Sequence, residues 1–270
     1  MVGGVWVMVD RAVDTLISPV RLYESDDYET TRDPSRLHKF GENSDIDAGE
    51  TEDLWDGGGN ANANGVYDYP SAAVVLGLSS DDNGDTEDVV VQGLDADWAP
   101  QSETVTLTGQ TKAETTGSYI RVFRVYNAGA AALAGDVYVY DTSDSVVAGV
   151  PQTPAKIHAI VTAEYQQTMM AMYSVPVGHT LVVTACYASL SRLATAAVGD
   201  IALVKREFGG VFRAQEEWSI HTYSGVKIQH FNPPRIIAAK TDIKLRAYAV
   251  SNNTHVHGGF HSYVVPGAWV

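Results

Sequence analysis

The residues of this chain with the clearest chemical reach are three histidines near its end, His255, His257 and His261 in HVHGGFH. On an extended strand side chains alternate between faces, so His255 and His257 would present two imidazoles side by side, a possible metal pair. No carboxylate or cysteine lies nearby in sequence to complete a ligand shell. The spacing therefore favours a structural or surface role, and no metal site is assigned. Most of the histidines fall after residue 150, which would also suit a subunit interface sensitive to pH near about 6.

The run DDNGDTED, Asp81 to Asp88, offers the hard oxygen ligands that calcium takes. It departs from the Asp-x-Asp-x-Asp-Gly loop with its closing Glu, and a solvated turn is the better reading. Asp45, Asp47, Glu50, Glu52 and Asp53 form another acidic cluster, again read as a solvated face. DGGG at Asp56 to Gly59 lacks both the glycine spacing and the following helix of a phosphate loop. There is no Gly-x-Ser-x-Gly elbow and no Cys/His pairing signature. A glycosidase-type carboxylate pair needs only spatial proximity, and among so many acids some pair would form by chance. No catalytic residue or cofactor is expected.

What must position these groups is a chain of two unlike halves. Residues 1–150 hold 27 carboxylates against eight Lys/Arg, a formal −19, while residues 151–270 hold six against ten, a formal +4. One module is strongly acidic and solvated; the other is nearly neutral and suited to packing against neighbours. The net charge of −15 argues against nucleic acid, since the basic residues are scattered along strands. Cys186, the single cysteine, excludes an internal disulfide and fits a reducing cytosol. The apolar start, MVGGVWVMVDRAVDTLISP, lacks a basic leader and meets Asp10, Arg11 and Asp14, so neither a signal peptide nor a membrane span is expected.

Residues 1–69 are acidic and glycine-rich, with Trp6, Trp55 and Tyr67 among the aromatics spaced along them. They are expected to form an extended docking arm in which those three side chains act as anchors; the alternative is an arm folded over its own domain. From residue 71 the period becomes two. Short β-branched and aromatic runs at 72–78, 88–94, 103–108, 119–126 and 136–140 predict a small acidic β-sandwich over 70–150. PQTP at Pro151 to Pro154 coincides with the charge shift and marks a boundary. Beyond it, seven or eight longer strands over 151–270 predict a jelly-roll-like sandwich, with Phe208 to Gly210 as a hairpin turn. The fold class is all-β, two antiparallel sandwich modules. MMAMYSV, Met169 to Val175, suits a core or subunit contact, because thioethers fill irregular gaps.

Several stretches carry a resemblance. ETEDLWDGGGNANANGVYDYPSAAVVLGLSS, then EDVVVQGLDADWAPQSETVTLTGQT and YIRVFRVYNAGAAALAGDVYVY, and later QTMMAMYSVPVGHTLVV, REFGGVFR and KTDIKLRAYAV, resemble a family of virion structural proteins of tailed phages, many of them marine. The likeness spans about residues 50–265, and its motifs describe strands and turns. NANANG after the glycines departs from the family's shorter link. The resemblance implies a capsid decoration or cement protein, a homotrimer that bridges major capsid protein subunits in a virion assembled in the host cytoplasm. A tail, adaptor or fibre-base protein is the alternative within the virion. A carbohydrate-binding sandwich using Trp218, Tyr223 or Trp269 as stacking platforms is the alternative from another class.

Overall fold

The computed structural model describes residues 35–191 and 197–267. Among them the only helical pieces are two 3-10 turns, Pro154–Lys156 and Thr222–Ser224; everything else regular is strand. In chain order the strands are β1 Ser35–Ile46, β2 Thr51–Asp53, β3 Val74–Ser80, β4 Asp88–Leu94, β5 Pro100–Thr106, β6 Ala113–Tyr119, β7 Arg121–Asn127, β8 Val137–Asp141, β9 Val146–Val147 and β10 Val150–Pro151. They continue with β11 Ile157–Val161, β12 Met172–Ser174, β13 His179–Ser191, β14 Val198–Glu207, β15 Arg213–His221, β16 Lys227–Ile237, β17 Thr241–Ala249 and β18 Thr254–Pro266.

The larger sandwich faces a sheet ordered β1-β18-β13-β16 against one ordered β12-β17-β14-β15, with β2 also paired to β17. β2 and β12 lie end to end along one edge of β17: Asp53 is opposite Arg246, and Met172 is opposite Lys244. Between them Leu54 N donates to Leu245 O at 3.1 Å, and Leu245 N donates to Ala171 O at 3.0 Å. Ala171 N closes the join by donating to Leu54 O at 2.9 Å. They are two halves of one strand, cut by residues 55–170. Counted as one, the strands fall in layers first-last-third-sixth and second-seventh-fourth-fifth, the winding of a jelly roll. Gly41 lets β1 cross this join, since a Cβ there would sit 2.3 Å from Ala171 N and 2.6 Å from Leu54 O.

The jelly-roll expectation therefore holds, with a different origin for two strands. Residues 35–54, expected within an extended docking arm, are folded as the first strand and half of the second. Residues 1–34 lie outside the described residues. Residues 55–170 form the smaller sandwich, β11-β8-β3-β6 facing β5-β4-β7, with β9 and β10 as a small hairpin. This sandwich keeps β11 beyond the Pro151 boundary, because Ile157, Ala159, Ile160 and Val161 fill its core. The Met-rich run alternates between the cores: Met170 and Met172 enter the smaller one, Ala171, Tyr173 and Val175 the jelly roll.

Candidate functional site

Two clusters of ionisable groups form on the jelly roll, one where β1 lies beside β18 and one where the inserted sandwich covers β17. The first is on the outer face of the β1-β18-β13-β16 sheet. His255, His257 and His261 project from one face of β18, as their spacing predicts, and β1 sets His38 opposite His261 and Glu42 opposite His257. Glu42 Oε2 receives His255 Nε2 at 3.2 Å and His257 Nδ1 at 3.1 Å. These two hydrogen bonds hold the Glu42 carboxyl down to about 2, against the opposing effect of its partial burial. Four residues along each strand, His38 stacks on His261 with ring centroids 4.5 Å apart and meets Tyr187 Oη through Nε2 at 2.8 Å. Burial and then the neighbouring His261 and Lys39 lower the His38 pKa. Tyr187 reaches across β18 only because residue 259 is glycine; a Cβ there would lie 2.6 Å from the tyrosine oxygen.

Glu42 is the residue that sequence reasoning missed. It is 213 positions from His255, and no local pattern links them. The signal was topological: a jelly roll places its first strand beside its last.

The second cluster is buried at the seam. One face of β17, Ile243, Leu245, Ala247 and Ala249, enters the jelly-roll core. The other carries Asp242, Lys244 and Arg246, and the inserted sandwich covers it. Arg121 Nε and Nη2 grip Asp242 at 2.7 and 2.9 Å, while Arg206 Nε (3.0 Å) and Ser174 Oγ (2.6 Å) also donate to it. Arg121 Nη1 donates to the carbonyls of Pro70 and Ile120 at 2.8 and 2.6 Å, with the Trp98 ring 4.8 Å from its guanidinium carbon. Asp53 pairs with Lys244 and with Arg246 Nε at 3.0 Å, and accepts the Tyr67 backbone N–H at 2.8 Å. Burial brings Lys244 down to about 8, with Asp53 opposing. Asp53, assigned to a solvated acidic face, is thus fully buried.

Trp55 and Tyr67 lie in the core of the smaller sandwich, 1% and 3% exposed, with Trp55 Nε1 donating to Gly65 O at 3.1 Å. As anchors they hold the insertion's own polypeptide, because the chain re-entering after strand β2 buries both rings. Trp6 and Trp269 lie outside the described residues. Trp218 is 5% exposed in the jelly-roll core and has no face for a sugar, whereas Tyr223 is 82% exposed. Asp81 and Asp85 serve as backbone acceptors: Asp81 Oδ1 takes Asp136 N at 2.9 Å, and Asp85 takes Ala134 N and Gly135 N at 2.8 and 3.0 Å. Their oxygens fasten the loop before β8, so this turn is a clamp and not simply a solvated bend. Cys186 is buried in the jelly-roll core.

A cleft of about 360 Å³ between β1 and the insertion is lined by Arg36, His38, Lys39 and Arg124 among others. Lys39 is buried and donates to the Phe123 carbonyl. Burial, with Arg124 second, brings its ammonium down to about 7. Among the described residues the cleft's lining includes no carboxylate or thiol.

His158 on β11 is 4% exposed, and its Nδ1 has no partner. Burial pushes its pKa down to about 4 from 6.5. The unfolded chain takes up this proton near 6.5 and the folded protein only near 4, so acid favours unfolding across that window. Stability is expected to fall by about 3 kcal/mol between those pH values on account of this residue, and to be untouched by it above 6.5. Denaturant melts of the wild type and His158→Gln across pH 4–7 should converge as the pH falls; parallel curves would show that the imidazole is not the cause.

No family model matches the chain, and no curated protein matches it. Solved structures that align with it include those of two infectious bursal disease virus strains. The Gt strain gives 10% identity and a TM-score of 0.18, over 94% of this chain and 78% of that one. The Gx strain gives 8% and 0.20, over 95% and 78%. A VP2 subviral particle of the same virus gives 10% and 0.17, over 94% and 77%. Superpositions this loose say nothing about a shared role.

Proposed function

We propose that this chain is a non-catalytic structural protein of a tailed-phage virion, a decoration or cement subunit lying over contacts between major capsid subunits. The observation that carries this reading is where the residues of the resemblance motifs do their work. In DLWDGGG, Asp53 is buried in the seam, Trp55 is core, and Asp56 Oδ2 accepts Met169 N at 2.6 Å. In YIRVFR, Arg121 grips Asp242. The motifs specify how one sandwich is built into another, so what the resemblance transmits is an architecture. Binding would be mechanical: many contacts repeated by symmetry favour the assembled shell because only that state offers them. Trp6 remains the proposed anchor of the arm. Neither nucleic acid nor membrane is a partner in this reading; among the described residues no helix is long and apolar enough to cross a membrane.

Copy number tests it. Quantitative densitometry of purified virions is expected to give on the order of hundreds of copies per particle, and purified protein should add to expanded shells that lack it. About a dozen copies or fewer would transfer the protein to the tail.

Self-association is proposed to use the edge formed by β15 and β16. Each ends its sheet, and most of the exposed large apolar residues lie in the jelly roll, with Tyr223, Val226, Ile228 and Ile236 on or beside this edge. Unpaired edge strands with apolar side chains are ready to pair with another copy, and this half lacks the charge that would repel one. Val226→Lys with Ile228→Lys is expected to weaken trimer formation at least about tenfold, as two exposed apolar side chains that the proposed contact would cover become charges. Sedimentation that stays trimeric would move the interface elsewhere.

A further inference from the structure

We propose that Glu42, His255 and His257 form a binding site for a divalent transition metal of the zinc type, a site that joins the first strand of the jelly roll to its last. This goes beyond the structural reading above and does not depend on it.

The geometry is the starting point. One nitrogen of each imidazole and one carboxylate oxygen converge, all within 4.8 Å of one another. In a tetrahedral shell with bonds near 2.0–2.1 Å, neighbouring ligand atoms are about 3.3–3.4 Å apart. The two His–Glu separations, 3.2 and 3.1 Å, are already close to that edge. The imidazole rings are 4.1 Å apart, centroid to centroid, so only small side-chain rotations close the third edge. The backbone supplies the rest: Glu42 and His257 are register partners, and His255 is the next residue on the same face.

The donor set selects the metal. Two imidazoles and one carboxylate suit zinc and its first-row neighbours, whereas calcium and magnesium call for oxygen ligands throughout. Three protein ligands leave a fourth position for water. The Glu42 side chain is largely buried, and both imidazoles stand partly exposed on an open sheet face, which gives a metal its route of entry.

The competing account is a hydrogen-bonded surface cluster in which two imidazole N–H groups donate to one carboxylate. Titration of the chelator-treated, tag-free full chain with zinc chloride separates the two. The expected result is one high-affinity zinc per chain by calorimetry, with a rise in unfolding temperature on addition of metal. Cobalt should give the visible absorption of a tetrahedral ion. Glu42→Gln and His257→Ala should each weaken binding at least about tenfold. His38→Ala and His261→Ala, on the neighbouring cluster, should leave it unchanged. Unfolding midpoints of the metal-free variants report whether each still folds, and Glu42→Gln, which keeps side-chain size, covers the case in which an alanine variant does not. The absence of stoichiometric zinc binding, or binding that survives loss of His255 and His257, would overturn the proposal.

Discussion

Asp242→Ala is expected to lower the stability of the folded chain by about 3–5 kcal/mol, a large share of the roughly 5–15 kcal/mol that holds a folded protein together. The carboxylate is fully buried and receives Arg121, Arg206 and the Ser174 hydroxyl. Removing it strands the Arg121 guanidinium, itself 1% exposed, without its carboxylate partner. The cost comes from the orphaned cation more than from the lost attraction. Arg121→Met with Asp242→Leu should therefore recover part of the stability lost in Asp242→Ala, since a buried pair replaced by apolar residues of similar volume is often near neutral. Denaturant midpoints of the single and double variants make the comparison. A double variant no more stable than Asp242→Ala alone would mean that the pair contributes through geometry no apolar residue can supply.

This network also shows where the sequence is legible and where it is not. Period-two alternation gives the all-β class, and Asp88–Leu94 comes out with its observed ends, because each inward residue is apolar and each flank is a turn. The hairpin at Phe208 to Gly210 is readable from its glycines, and Gly209 has a φ of 77°. Ala113–Tyr119 escapes notice because AETTGSY has no apolar alternation and is held by its neighbour β3. Ser35–Ile46 looks like an arm because its partner, β18, lies at the far end of the chain. Asp242, Lys244 and Arg246 look like a solvated strand face, and only the inserted sandwich makes them interior. A charged residue on a β-strand says which face it takes; what covers that face is set by residues far away.

The cut strand accounts for the misreadings of Ser35–Ile46 and of the charged β17 face together. A jelly roll interrupted between Leu54 and Ala171 distributes its own strands on both sides of a second domain, so the charge boundary near residue 150 cannot coincide with a structural one. It also explains why the seam is ionic. The insertion leaves and returns beside β17, and its first and last residues must be fixed against that strand in one orientation. Paired charges and their hydrogen bonds specify such an orientation more narrowly than apolar contact would.

Trp55→Ala is expected to cost about 3–5 kcal/mol, through the cavity left by a fully buried indole at the first residue of the insertion. The ring packs edge-on against Tyr67 with centroids 5.0 Å apart, and its Nε1 donor satisfies the Gly65 carbonyl. Truncation thus removes core volume, an aromatic contact and a buried hydrogen bond together. Trp55→Phe keeps most of the volume and should cost less, about 1–2 kcal/mol. The outcome bears directly on the role of the aromatics along residues 1–69. An anchor on a foreign surface would leave the unfolding midpoint of the free protein unchanged and weaken attachment to shells. An anchor on its own fold does the reverse at equal occupancy of the folded state: the midpoint falls, and whatever protein remains folded attaches as before. Denaturant melts of the free chain beside shell-binding assays at a temperature where the variant is still folded distinguish the two, and an unshifted midpoint would return Trp55 to the surface.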